Sequence, residues 1–176
     1  MPIAATAKVN TRTLTELGGK YLTFFAGSEE YGLQIHKVRE IFGMMPVTPV
    51  PQLPPHILGV INLRGRVIPV MDFRTTVGMF NEEQTSETCI IVVETFGVDV
   101  GMVVDKVSEV VDILGDQIEE PPSFGAGVST DFLLGIGKAE KGVKLLLDID
   151  KVLDTRDAAT LQRLANQEFG EPESET

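Results

Sequence analysis

The amino-acid sequence predicts an all-β fold made of two similar small units and followed by one C-terminal helix. Three observations support this fold class. The apolar residues fall in short runs rich in β-branched types, few gaps between the runs are long enough for a crossover helix, and one stretch of the chain resembles a later one. Runs of this kind, bounded by Gly, Pro, Asp or Asn, are typical of strands in a sandwich or barrel.

The predicted elements follow one another closely along the chain. The clearest strand runs are Tyr21 to Phe25, Tyr31 to Ile35, Val67 to Val70, Ile90 to Val93, Val100 to Val104 and Val143 to Leu147. A short helix is predicted around Pro54 to Gly59. A longer helix is predicted from Asp154 and Thr155, whose side chains can accept hydrogen bonds from the first free N–H groups of a helix. Its apolar stripe comprises Ala158, Leu161, Leu164, Ala165 and Phe169.

An internal duplication is the most informative feature of the sequence. YGLQIHKVREI at 31–41 aligns with VGMVVDKVSEV at 100–110, and GVINLRGRVIPVMDF at 59–73 aligns in the same order with GIGKAEKGVKLLLDI at 135–149. A chance likeness between apolar segments is the alternative, but Gly, Lys, Glu and Asp also match in order. Each copy has about 60 residues, too few to bury much surface alone. We therefore expect the two copies to pack together and share a core.

The composition limits the class of function. The 176 residues carry a formal net charge of −11, which predicts repulsion from nucleic-acid phosphates and from anionic membrane surfaces. The chain has no apolar run of about 18 residues, so we expect no transmembrane helix. The single cysteine, Cys89, cannot form an internal disulfide. A reducing, cytoplasmic compartment is therefore expected.

No pattern in the sequence points to catalysis, a cofactor or a metal. His36 and His56, the two histidines, lack a nearby Cys or second His. Asp148, Asp150 and Asp154 lack the Gly and the terminal Glu of a calcium loop. Phosphate-binding, dinucleotide-binding and nucleophile-elbow motifs are absent. We therefore predict a protein without catalytic residues, cofactors or a metal site.

The duplicated segments resemble the CheW family of chemotaxis coupling proteins. NLRGRVIPVMDFR at 62–74 is similar to the family's signature. YGLQIHKVREI, GMVVDKVSEVV at 101–111 and STDFLLGIG at 129–137 resemble other family segments in the same order. The resemblance covers residues 19–153 and implies two SH3-like, five-stranded β-barrel subdomains packed together.

The expected domain organisation combines the duplication with this resemblance. The two β subdomains would span about 19–80 and 88–153, and the C-terminal helix would span 154–169. Residues 1–18 mix small, polar and charged types without a period, and residues 170–176 are rich in Glu. We expect both termini to be flexible tails.

The function that the resemblance implies is that of a non-catalytic scaffold. It would couple the cytoplasmic tip of methyl-accepting chemoreceptors to the regulatory domain of the histidine kinase CheA. The chain would lie in the cytoplasm at membrane receptor arrays, without inserting into the membrane or binding nucleic acid. Two alternatives stay open: a CheW-like scaffold of another chemosensory pathway, such as surface motility, and a β barrel that binds a small ligand.

Six residues match family positions linked to receptor coupling: Arg64, Val38, Glu40, Gly59, Cys89 and Val110. Arg64 precedes Gly65, which permits a tight turn that would project the arginine outward. A solvated loop arginine fits this pattern too. Val38 and Val110 fit core positions, or an apolar groove between the two barrels that would seat a partner helix. Cys89 also fits a small buried hydrophobic residue.

Three residues match family positions that join the adaptor to the kinase: Phe124, Ile35 and Glu119. Phe124 lies in the loop sequence PPSFGAG at 121–127, where an aromatic side chain suits an anchor for a partner. It fits a loop residue folded back on the core equally well, and Ile35 also fits a core position. Glu119 stands where family members carry a basic residue, so the charge at this contact is reversed.

Overall fold

The computed structural model describes residues 16–79, 84–121, 132–139, 142–153 and 155–166. Most of these residues lie in strands. The strands are β1 (Gly19–Ala26), β2 (Glu29–Gln34), β3 (Val38–Gly43), β4 (Ile57–Leu63), β5 (Arg66–Asp72), β6 (Cys89–Thr95), β7 (Val98–Val104), β8 (Lys106–Ile113), β9 (Ile118–Glu119), β10 (Leu133–Ala139) and β11 (Gly142–Leu147). The helices are α1 (Phe73–Thr76), α2 (Ile149–Val152) and α3 (Thr155–Asn166), with 3-10 turns at Ile35–Lys37 and Gly115–Gln117.

The strands form two mixed sheets. One has the order β8-β1-β2-β11-β10-β9 and the other has the order β3-β6-β7-β5-β4. β2 pairs with β11 in parallel in the first sheet, and β5 pairs with β7 in parallel in the second. The predicted class, an all-β fold of two SH3-like units with a C-terminal helix, is confirmed. One sheet has the expected five strands, and the other gains the two-residue strand β9.

Contacts divide the chain into two compact units that are interleaved in sequence. Unit 1 contains residues 1–35 and 108–152, and unit 2 contains residues 36–107 and 153–176. The expected halves at 19–80 and 88–153 therefore do not coincide with the compact units, because each half contributes strands to both sheets. Residues 1–15 of the expected N-terminal tail and all of the expected C-terminal tail lie outside the described residues.

The duplication reappears in the order of the strands. When β1 to β5 are matched with β6, β7, β8, β10 and β11, the order β8-β1-β2-β11-β10 corresponds to β3-β6-β7-β5-β4. At the two parallel junctions Gly32 pairs with Leu146 and Gly101 pairs with Val70, which are residues matched by the sequence alignment. A Cβ atom on Gly32 would come within 2.9 Å of Leu146 Cδ2. The missing side chain therefore permits the close approach of β2 and β11.

Each unit has its own apolar core. The core of unit 2 comprises Ile61, Leu63, Ile68, Val70, Ile90, Val92 and Val103. The core of unit 1 comprises Tyr21, Ile113, Ile118 and Leu146. The Tyr21 hydroxyl donates a hydrogen bond of 2.7 Å to the Leu17 carbonyl, and burial raises the pKa of Tyr21 to about 12. The phenol is thus held neutral inside the core.

The predicted C-terminal helix is confirmed over Thr155–Asn166. It contacts β5 and β7 of unit 2, and Leu161 and Leu164 on its apolar stripe are fully buried. Asp157, in its first turn, lies with Oδ1 2.8 Å from His56 Nε2. The helix is therefore fixed to unit 2 by apolar packing and by a polar contact at its N-terminal end.

The predicted helix around Pro54 to Gly59 is wrong. Strand β4 begins at Ile57 and pairs with β5 along its length, from Ile57 opposite Met71 to Leu63 opposite Arg66. The two prolines occupy the preceding turn, where the Ile57 N–H donates to the Pro54 carbonyl over 3.0 Å. Pairing with a neighbouring strand outweighed the local preference of this segment.

A buried ion pair joins β11 to β2 in unit 1. Lys144 Nζ lies 2.8 Å from Glu30 Oε1, and the two side chains are 2% and 14% exposed. The duplication places Ile68 at the position equivalent to Lys144, and Ile68 belongs to the core of unit 2. Unit 1 therefore holds a charge pair where unit 2 holds an apolar side chain.

Loss of one member of this pair is predicted to destabilise the chain strongly. Lys144→Met leaves the Glu30 carboxylate without its buried partner, which costs about 3–5 kcal/mol in free energy of unfolding. The double variant Lys144→Met with Glu30→Leu is expected to recover most of that loss, because no unpaired charge remains. Urea unfolding of both variants measures the difference.

The control is Lys20→Met, which removes the Lys20–Asp112 pair, whose members are both well exposed. It is expected to change the free energy of unfolding by less than about 1 kcal/mol. A Lys144→Met variant as stable as this control would show that the buried pair does not support unit 1.

Candidate partner-binding site

Arg64 lies in the two-residue turn between β4 and β5. Leu63 pairs with Arg66 on either side of the turn, and the φ angles of Arg64 and Gly65 are +54° and +87°. Two central residues with positive φ are the mark of a type I′ hairpin turn. The Arg64 side chain is 68% exposed. The tight turn expected at Arg-Gly is present, and it carries the guanidinium into solvent.

An ion pair connects Arg64 with a second predicted receptor-binding residue. Arg64 Nη2 donates to Glu40 Oε2 on β3. β3 is paired with β6, with a shift in register between Val38 and Glu40. An exposed pair of this kind contributes about 0.2–1 kcal/mol to stability. Its main consequence is therefore that it fixes where the guanidinium lies.

Strands β3 and β8, which are equivalent in the two copies of the repeat, each expose one aliphatic side chain at the same repeat position. Ile41 on β3 is 44% exposed, and its counterpart Val110 on β8 is 50% exposed. The interpretation of Val110 as a core residue is therefore wrong, because its side chain lies on the solvent face of β8. Val38, at the start of β3, is half-buried.

Gly59 occupies a position that accepts no side chain. Its φ angle is +149°, and a Cβ atom there would lie 2.1 Å from the Thr48 carbonyl oxygen. Thr48 is bridged to Val60 by two backbone hydrogen bonds of 2.8 and 2.9 Å. Gly59 thus allows the segment around Thr48 to lie against β4. Its role is to shape the backbone, and it offers no side chain to a partner.

Cys89 begins β6, where it pairs with Gly43 and Val104. Its side chain is half-buried. Burial raises the pKa of the Cys89 thiol, and a hydrogen bond from the Val107 backbone opposes part of that rise. The residue is therefore a neutral thiol beside the start of β8, but since it is only half-buried, its interpretation as a small buried hydrophobic residue is correct only in part.

The three residues expected at the kinase contact are placed differently. Ile35 opens the 3-10 turn Ile35–Lys37 and is 37% exposed, so it does not belong to the core. Glu119 lies on β9, where its Oε2 is 2.8 Å from Lys138 Nζ, and both side chains are exposed. Phe124 lies outside the described residues.

Sequence reasoning missed a row of charged residues at one end of unit 2. Arg39, Glu94, Asp99 and Arg66 lie on the adjacent strands β3, β6, β7 and β5. Arg39 Nη2 lies 2.7 Å from Glu94 Oε1, and Arg39 Nε lies 3.5 Å from Asp99 Oδ1. Arg66 Nη1 lies 3.2 Å from Asp99 Oδ2. They line a groove of about 420 Å³. The residues stand far apart in sequence, so only the pairing of the strands reveals the group.

The described ranges contain neither a metal-binding cluster nor a membrane-spanning helix. Within them, no group of three or more His, Cys, Asp or Glu side chains is arranged to hold a metal ion. No helix in the same ranges is both long and apolar enough to cross a membrane.

Substitution of Gly59 is predicted to disturb the fold. Gly59→Ala places a methyl group against the Thr48 backbone and forces an L side chain into an unfavourable φ, which costs about 1–3 kcal/mol in free energy of unfolding. Thermal and urea unfolding measure the loss. The matched control is Gly43→Ala, since a Cβ atom at Gly43 has no neighbour within 4 Å. Equal stability of the two variants would contradict a structural role for Gly59.

Comparison with known proteins assigns the chain to a family. Residues 20–157 match the family model described as CheW-like domain. The chain is 34% identical over 163 residues to the chemotaxis protein CheW of Klebsiella aerogenes. This alignment covers 93% of the chain and 98% of the relative. It is 36% identical over 148 residues to the chemotaxis protein CheW of Rhizobium meliloti, and that alignment covers 83% of the chain and 96% of the relative.

A solved structure agrees with these sequence matches. The scaffolding protein TtCheW from Thermoanaerobacter tengcongensis superimposes with a TM-score of 0.72 at 32% identity, over 79% of this chain and 94% of that one. Family model, sequence relatives and fold thus agree over most of the chain. The chain belongs to the CheW family of chemotaxis scaffold proteins.

Proposed function

We propose that this chain is a non-catalytic adaptor that couples chemoreceptors to the histidine kinase CheA in the cytoplasm. The observation that carries the proposal is the Arg64–Glu40 pair, displayed on an exposed type I′ turn of a CheW-family fold. The pair holds a guanidinium in solvent at little gain in stability. An arginine so placed is suited to bind a partner's carboxylate at two points.

The receptor-binding surface proposed on unit 2 consists of Arg64, Glu40 and Val38. Arg64 supplies the charged contact, Glu40 orients it, and the half-buried Val38 supplies apolar area on the same strand as Glu40. On unit 1 we assign Val110 to the receptor as well, because half of its side chain is exposed. A helical hairpin that presents acidic and apolar side chains on one face would fit these residues.

Gly59 and Cys89 are proposed to support receptor binding indirectly. Gly59 fixes the segment around Thr48 against β4, the strand that leads into the Arg64 turn. Cys89 packs between β3 and β7 through its partners Gly43 and Val104. Changes at these two positions would act by moving the strands that carry the contact residues.

The kinase-binding surface is proposed on unit 1. Ile35 is exposed enough to contact the CheA regulatory domain, and the family resemblance adds Phe124. Glu119 is paired with Lys138, so the charge reversal at this position is partly neutralised within the chain. We therefore expect the contact to depend more on the apolar residues than on Glu119.

The proposed mechanism requires both contacts at once. Receptor and kinase bound to separate residues of one chain are held close together, and each weak contact raises the effective concentration of the other partner. Motion at the receptor tip is then transmitted to the kinase through the adaptor. The chain itself carries out no chemical step.

Reversal of the Arg64 charge is predicted to weaken receptor binding strongly without unfolding the chain. Arg64→Glu removes the guanidinium and places two acidic side chains side by side, so the affinity for a soluble receptor-tip hairpin should fall at least about tenfold. The melting temperature should change little, because the pair it breaks is exposed. Titration calorimetry with the hairpin and with the CheA regulatory domain measures both affinities.

Arg66→Glu is the matched control. Arg66 lies on the same hairpin, is similarly exposed and also has one close acidic partner, Asp99. Receptor affinity should survive in this variant, and both variants should bind the kinase domain like the wild type. Equal loss of receptor binding in the two variants would mean that Arg64 contributes only positive charge and makes no specific contact. Failure of the wild type to bind either partner would refute the adaptor proposal.

A further inference from the structure

We propose that Asn62 is the positioning residue that presets Arg64 for its partner, an inference that rests on the proposed receptor-binding function. The side-chain oxygen of Asn62, Oδ1, accepts a hydrogen bond of 2.8 Å from the Gly65 N–H. This bond spans the turn that contains Arg64. It ties the backbone of the turn to a side chain of β4.

The backbone of Arg64 needs such support. Arg64 has a φ angle of +54°, a conformation that residues with a Cβ atom adopt uncommonly. Strained positions of this kind persist where the surroundings fix them, and they cluster at functional sites. The turn is closed by the pairing of Leu63 with Arg66, and two side-chain contacts hold it further. Asn62 holds the backbone at Gly65, and Glu40 holds the guanidinium of Arg64.

A second turn of the same chain shows how the geometry is held elsewhere. Phe96 and Gly97 join β6 to β7 with φ angles of +55° and +79°, the same pattern as Arg64 and Gly65. There the Phe96 carbonyl accepts a hydrogen bond of 2.7 Å from Gln162 Nε2 on α3. Glu94, at the place equivalent to Asn62, is paired with Arg39. The Phe96 turn is thus fixed by the helix, whereas the Arg64 turn is fixed by Asn62.

The effect of Asn62 on binding depends on the fraction of molecules whose turn is in the conformation that presents Arg64. If the turn relaxes, Arg64 spends less time in the conformation that presents its side chain, and the apparent affinity falls by that fraction. Loss of one net hydrogen bond changes the equilibrium between the formed and the relaxed turn about three- to tenfold, and this factor is the upper limit of the resulting loss of affinity. Asn62 contacts no partner in this scheme, so it acts on binding only through Arg64.

The test compares Asn62→Ala with Asn62→Asp in the full chain. Aspartate keeps an acceptor oxygen at the same place, and alanine removes it. We expect Asn62→Ala to weaken binding of the receptor-tip hairpin measurably, by no more than about tenfold, and to lower the melting temperature by no more than a few degrees, whereas Asn62→Asp should retain wild-type affinity. Hydrogen exchange of the Gly65 amide should accelerate in Asn62→Ala and remain slow in Asn62→Asp.

The outcomes separate this inference from the proposed function. Unchanged Gly65 exchange in Asn62→Ala overturns the positioning role, whatever the affinities are. Faster exchange with wild-type affinity also overturns it, because the turn would then be free to relax without consequence for binding. If Arg64→Glu itself binds the hairpin normally, the proposed receptor contact is refuted. The hydrogen-exchange rate of the Gly65 amide then still shows whether Asn62 holds the turn.

Discussion

The close pairing of strands from the two copies of the repeat is the constraint on which the rest of the structure depends. β2 and β11 form a parallel junction in one sheet and β5 and β7 form the equivalent junction in the other, and each junction sets a glycine against an aliphatic side chain of the other copy. Neither copy can complete a sheet with its own strands alone. The two copies must therefore fold together, since about 60 residues bury too little surface by themselves.

This shared framework leaves the two units free to differ in side chains both on the surface and in the core. Arg64 of the first copy is matched in sequence by Glu140 of the second. The core residue Ile68 is matched by Lys144, which is neutralised by Glu30. The strand order stays the same while these side chains diverge. A duplicated fold can thus offer different surfaces to two partners, which is what an adaptor requires.

The sequence predicted the features that depend on local pattern and on the repeat. The β-branched runs became strands, the apolar stripe from Ala158 became α3, and Arg-Gly became a tight turn. The features it missed depend on strand pairing. The Arg64–Glu40 contact and the exposure of Val110 follow from register and from the side on which each strand is covered. The helix expected around Pro54 failed because β4 pairs with β5.

The central claim is that one chain holds receptor and kinase at the same time. Sedimentation velocity of the chain mixed with a soluble receptor-tip hairpin and the CheA regulatory domain tests it directly, with the three proteins labelled separately. The adaptor proposal predicts one fast-sedimenting species that contains all three, and its disappearance when the chain is omitted. Two binary complexes that exclude each other, or a receptor–kinase complex that forms without the chain, would contradict it.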